Sequence, residues 1–192
     1  MKQIMNNEEG FTGLEAAIVL IAFVVVAAVF SYVVLGAGFF TTQKSQEVIY
    51  TGIQMASSSM EVIGDVYGLD GNNNDDIETI RFTLGLAAGG SSVDFSTIQL
   101  VFATATAVDI LNQSPDLVST TTPGTGNWTI FEGADDTDLL LENDDKFTLI
   151  AAPKAALGTN TKFNLEIRPS TGAAFALKRT TPSKIDKVNL LY

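Results

Sequence analysis

EEGFTGLEAAIVLIAFVVVAAVF, Glu8–Phe30, decides how the rest of the chain is read. A short polar leader ends at Gly10. An apolar run starts at Phe11 and lasts to about Phe40, with one carboxylate, Glu15, near its head. From Ala16 to Phe40 no residue is charged. As a helix rising ~1.5 Å per residue, these 25 residues span roughly 37 Å, enough to cross a ~30 Å hydrocarbon core. The run is apolar on every side, so lipid or protein must cover it all round. Gly36 and Gly38 are places where such a helix can bend.

From Thr41 the pattern changes. Ile49, Ile53, Ala56, Met60 and Ile63 step by 4, 3, 4 and 3, while Thr51, Gln54, Ser58 and Glu61 lie elsewhere. That spacing predicts an amphipathic continuation with one covered face. Gly64 or Gly68 is the expected stop, so one helix is predicted over 11–64.

The segment 65–192 reads as β-structure. In ETIRFTLGL (78–86), Ile80, Phe82, Leu84 and Leu86 alternate with Arg81, Thr83 and Gly85. TIQLVFAT (97–104), WTIF (128–131), KFTLIA (146–151), KFNLEIR (162–168), AFALKRT (174–180) and KVNLLY (187–192) continue the theme. Turn clusters such as SPD, TPGTGN and ENDD separate them. About seven short strands with one apolar face predict an antiparallel sandwich of immunoglobulin-like type, without fixing the strand order. The fold class is therefore α+β, a long hydrophobic helix followed by that sandwich.

Composition narrows the chemistry. The 192 residues include no Cys and no His, which removes disulfides, thiol chemistry, zinc sites built on those ligands and every triad that needs an imidazole. The net charge of −11 gives no basic footprint for nucleic acid. No phosphate-binding loop is present and no cofactor is expected.

The N-terminus is the informative part. An ordinary signal peptide has an apolar stretch of ~7–15 residues with its cleavage site after it. Here the stretch is longer, and no polar exit follows. A plain membrane anchor accounts for the hydropathy, but not for a short polar leader, a Gly immediately before Phe11 and a Glu at the fifth position counted from Phe11. Together these resemble the processing site of the type IV pilin superfamily. In that superfamily a membrane peptidase cuts before the apolar helix and leaves it on the mature subunit. GFTGLEAAIVLIAFVVVAAVFSYVVLGAGFFTTQKSQEVI is similar to the N-terminal region of archaeal flagellins (archaellins), and IETIRFTLGLAAGGSSVDFSTIQLVF to their first β-segment. The leader departs from the family in carrying Glu8 and Glu9 where basic residues usually stand, with Lys2 as its only cation.

The resemblance implies a cleaved leader 1–10, cut at Gly10–Phe11, and an extracellular filament subunit. Its partners would be other copies of itself, a prepilin-type peptidase, and membrane assembly machinery with an ATP-driven motor. The membrane would hold it before assembly. Leu14, Ile18, Ile21, Val25 and Val29 are the candidate helix-core interface. Cleavage would place a new amine on Phe11, four residues and one helical turn from Glu15. Glu15 would then pair with that amine, or with a neighbour's, in assembly or processing. An acidic residue in a first turn also favours the helix dipole, whatever else it does. Two other readings remain at this point: an adhesive pilin of the same superfamily, and a membrane-anchored extracellular binding domain.

Other motifs are weaker. Asn127-Trp128-Thr129 and Asn112-Gln113-Ser114 fit the N-glycosylation pattern. Asn127 sits among Gly, Pro and Thr and is expected to be exposed in a turn; Pro115 follows the second triplet. In DGNNNDDIE (70–78), Asp70, Asn72, Asn74 and Asp76 alternate like calcium ligands, but Asp75 stands where an EF-hand needs Gly, and Arg81 at the twelfth position. A solvated turn is the expectation there. GADDTD and ENDD read as acidic surface loops, and Lys178-Arg179 as too small a cluster to bind anything.

Overall fold

The computed structural model describes residues 13–135 and 137–192. The leader and the Gly10–Phe11 bond lie outside them. The chain divides into two units, one up to Tyr50 and one from Thr51 onward.

A single helix, α1, runs Gly13–Ser57. Its 45 residues make a rod about 67 Å long, continuous through Gly36 and Gly38. The helix stops at Ser57 rather than at 64. Met60 and Ile63 fit the helical spacing, but pairing within the β-domain claims this segment instead. Residues Met60–Val62 form strand β1 against β3 (Thr79–Leu86), with Met60 opposite Leu86 and Val62 opposite Leu84. Ser59 extends the pairing by accepting from the Ala87 N–H at 2.9 Å. Met60 is buried in the β-core. Ser58 and Ser59 favour this exit, because serine side chains compete for helix backbone groups. Gly64, with φ +79, turns the chain toward β2 (Val66–Leu69). Gly68, the other expected stop, lies inside β2, where a Cβ would meet Ile77 Cδ1 at 2.6 Å.

The remaining strands are β4 (Val93–Asp94), β5 (Gln99–Thr104), β6 (Val108–Val118), β7 (Asn127–Glu132), β8 (Leu140–Leu141), β9 (Lys146–Ala151), β10 (Lys162–Arg168), β11 (Phe175–Thr180) and β12 (Val188–Leu191). The main sheet runs β11-β10-β5-β6-β7-β9-β3-β2-β12, with β1 beside β3, while β4 and β8 pair separately. Its pairs are antiparallel except β6–β7, which is parallel. The domain is sandwich-like. Phe102, Leu111, Leu165 and Leu177 from one half of the sheet share one core with Phe82, Trp128, Phe147 and Leu149 from the other. At the ends of this path the outermost strands meet, the Thr180 N–H donating to Tyr192 O at 2.8 Å.

The predicted runs at 78–86, 97–104, 128–131, 146–151, 162–168, 174–180 and 187–192 all contain strands. The alternation that revealed them is their burial: Phe163, Leu165 and Ile167 face the core while Lys162 and Glu166 face out. β6 was not legible. Its first part pairs with β5, Leu111 opposite Leu100, and its second part pairs with β7 across an irregularity between Gln113 and Val118. Pro115 sits in that irregularity, where a missing N–H breaks no regular ladder. Gly133 closes β7 at φ +99, where a Cβ would fall on the Lys146 carbonyl oxygen, so only glycine fits.

Candidate assembly surface

The 28 residues from Ala16 to Gln43 are uncharged. They cover about 42 Å of a cylinder roughly 10 Å across, which presents on the order of 1,300 Å² of surface. The largest apolar patch on a soluble monomer is about 300–600 Å². In the free chain the large apolar side chains of this stretch are exposed all round, from Val19 at 49% to Tyr32 at 80%. Ile18, Ile21, Val25 and Val29 are among them, and Leu14, just before Glu15, is exposed as well. The helix is also long and apolar enough, over Gly13–Ile53, to cross a bilayer.

The few polar groups of the stretch are handled locally. Thr41 Oγ1 donates to Ala37 O and Thr42 Oγ1 to Gly38 O, each at 2.9 Å, so neither hydroxyl needs water. Charge returns only at Lys44, which pairs with Glu47 at 2.5 Å. At the other end Glu15 lies in the first turn, exposed, where a carboxylate suits the helix dipole. The surface is thus an uninterrupted apolar column bounded by charged groups.

The β-domain treats the other motifs differently from the sequence reading in two places. Asn127 is half-buried at the start of β7, not exposed in a turn, because Trp128 and Thr129 are both taken into the core. Thr129 Oγ1 donates to Leu117 O at 2.8 Å. Asn112 is exposed and stands directly opposite Asn127 on the neighbouring strand. In the 70–78 loop Asp70 is buried, and its carboxylate accepts from the N–H groups of Asn72, Asn73, Asn74 and Asp75. Asn74 Oδ1 accepts from Asp76 N at 3.1 Å. These side chains brace their own turn.

The acidic loops are exposed, as expected. The Thr137 hydroxyl and the Thr137 and Asp138 amides hold the Asp135 carboxyl below the ordinary carboxylate range. Its partner bonds are therefore complete above the usual carboxylate pKa and fade as pH falls through the lowered one. The Arg168 guanidinium, at 2.8 Å, likewise holds Glu166 low.

A rod with a continuous apolar column, followed in sequence by an antiparallel-rich β-domain, defines a subunit that polymerises through its helix. The chain belongs to the archaeal-type flagellin family, whose pattern matches residues 10–179. It is 39% identical over 198 residues to probable flagellin 1 of Archaeoglobus fulgidus, covering 98% of both chains. It is 34% identical over 198 residues to probable flagellin 1 of Aeropyrum pernix, covering 94% of this chain and 96% of the other. Among solved structures, the archaeal flagellum of Methanospirillum hungatei strain JF1 superimposes with a TM-score of 0.75 at 36% identity, over 95% of this chain and 100% of that one. The protein is a structural subunit of the archaeal swimming filament, the archaellum, and assembles with copies of itself at the cell surface.

Proposed function

We propose that the chain is made as a membrane precursor and matured at Gly10–Phe11 by a prepilin-type peptidase. Residues 1–10 are the discarded leader. The apolar column of α1 carries this reading, because it suits two successive surroundings: lipid before assembly and neighbouring helices after it. Both are apolar, so hydrophobicity alone does not favour the filament. Helix fit and van der Waals packing along Leu14, Ile18, Ile21, Val25 and Val29 bias the exchange, as in helix association within membranes. Membrane machinery with an ATP-driven motor supplies the work, and the filament transmits torque passively. The chain has no catalytic role in this scheme.

Glu15 registers the incoming subunit. A carboxylate in apolar surroundings costs about 2.5–3.5 kcal/mol at mid-helix and less near an end, and an amine on Phe11 offsets that cost. Intact mass of extracellular filaments tests the scheme, with a subunit beginning at Phe11 expected. Gly10→Val should leave uncut precursor in the membrane and no filaments. Glu15→Gln should give cut or uncut subunit in the membrane but little polymer. A filament subunit retaining Met1 would overturn the cleavage reading, and normal filaments from Glu15→Gln would remove the register role.

Of the two sequons we favour Asn112 as a glycan acceptor, because it is exposed while Asn127 is half-buried beside core residues. Asn112→Gln should then lower the subunit mass by one glycan and Asn127→Gln should not. The reverse pattern, or an unmodified wild-type subunit, would refute this assignment.

A further inference from the structure

Lys178-Arg179 looks too small to bind a partner in the sequence, but strand register enlarges it. β10 and β11 pair with Asn164 opposite Lys178 and Lys162 opposite Thr180. Since Phe163 and Leu165 face the core, Lys162 and Asn164 face outward beside Lys178. An open groove of about 440 Å³ lies among Lys162, Asn164, Lys178, Arg179 and Tyr192. The other ion pairs of the β-domain are Lys154–Asp109, Arg168–Glu166 and Lys184–Asp186. Lys162, Lys178 and Arg179 have no acidic partner among the described residues. Asn164 Oδ1 is buried there and accepts no hydrogen bond.

The occupant must therefore bring carboxylates to three cations and a donor to one amide oxygen. A small anion brings only the first. An acidic peptide segment brings both, its side chains meeting the cations and a main-chain N–H meeting Asn164. Toward β5 and β6 the same sheet face turns apolar, with Ala103 at the groove wall next to Asn164 and exposed Val108 next to Ala103. A matching segment exists in this chain. Between β7 and β9, residues 132–145 expose Glu132, Asp135, Asp138, Glu142, Asp144 and Asp145 and leave Leu139 and Leu140 half-exposed.

We propose that the groove along β10 and β11, with Lys162 and Lys178 on its outward side and Arg179 entering from the Phe163 side, receives the 132–145 segment of a second copy of this chain. The inference rests on the chain being a filament subunit. Two different patches joined copy to copy make a heterologous contact, which propagates as an open helix when the rotation does not close. The contact ties neighbouring β-domains together, independently of the helices.

Charge exchange in the full chain, expressed with its own assembly machinery, tests this. Lys178→Glu with Arg179→Glu should cut filament-bound protein at least about tenfold, since like charges would then face each other across the contact. Asp144→Lys with Asp145→Lys should do the same, and all four changes together should restore filaments. The unfolding midpoint of each variant should match the unchanged chain, and Lys178→Ala with Arg179→Ala should give an intermediate loss. Normal filaments from both reversals would overturn the proposal. So would loss from the first pair that the second pair fails to rescue, which would mean a different anionic partner. Failure of the polymer reading itself would show separately, as an unchanged chain that makes no filaments.

Discussion

Val29→Lys is expected to abolish filaments while leaving the β-domain folded. Val29 stands near the middle of the uncharged stretch, 59% exposed in the free chain. About 20 Å of apolar helix lies on either side of it, so a lysine there cannot reach water along the rod. Insertion into lipid would cost about 2.5–3.5 kcal/mol, which a helix this apolar tolerates. In a helix bundle every copy would carry the same unpaired cation, and an uncompensated buried charge costs about 3–5 kcal/mol per site. The loss repeats with each subunit added, so growth stops. Sedimentation of extracellular filaments, with circular dichroism of the membrane-extracted chain, makes the check. Normal filament yield from this variant would mean that position 29 does not face the packed core.

The second large effect belongs to the β-domain. Trp128→Ala should destabilise it by about 3–5 kcal/mol, the range for removing a large aromatic from a core. That corresponds to roughly 10–15 °C of Tm for a domain of this size. Trp128 is fully buried in the core shared by both halves of the sheet, with Phe82 and Phe147. Its Nε1–H has no hydrogen-bond partner among the described residues. Trp128→Phe should therefore cost clearly less, because it removes an unsatisfied donor together with some volume. Differential scanning calorimetry separates the two. A phenylalanine variant as unstable as the alanine one would mean that the indole nitrogen is satisfied by water.

What could be read in advance divides along physical lines. The apolar column needed only composition: 25 residues without charge cannot face water, whatever surrounds them. β3 and β10 were legible because one face is buried and the other partly wet, so burial writes period two into the chain, whereas β9 is buried on both faces and shows instead as a short apolar run. β6 was hidden because its Asn-Gln-Ser-Pro-Asp segment looks like a turn. It is held as a strand by two different neighbours, which no local pattern records. Met60 was misassigned because its spacing satisfies a helix equally well, and only pairing with Leu86 decides against it. The basic groove could not be read at all. Lys162 and Lys178 lie in separate strands, and the β10–β11 register alone makes them neighbours.

The bond from the Thr180 N–H to Tyr192 O has a meaning for a protein that works at extreme local concentration. Unpaired strand edges recruit other strands, and thousands of identical β-domains held side by side would be an ideal seed for runaway cross-β growth. By joining β11 and β12, the outermost strands of its main sheet path, at this seam, each domain blunts that invitation there. Contacts between domains would then fall chiefly to side chains, which can be weak, numerous and reversible. A rod built this way can flex under load, sliding neighbour past neighbour, without fusing into a rigid fibre.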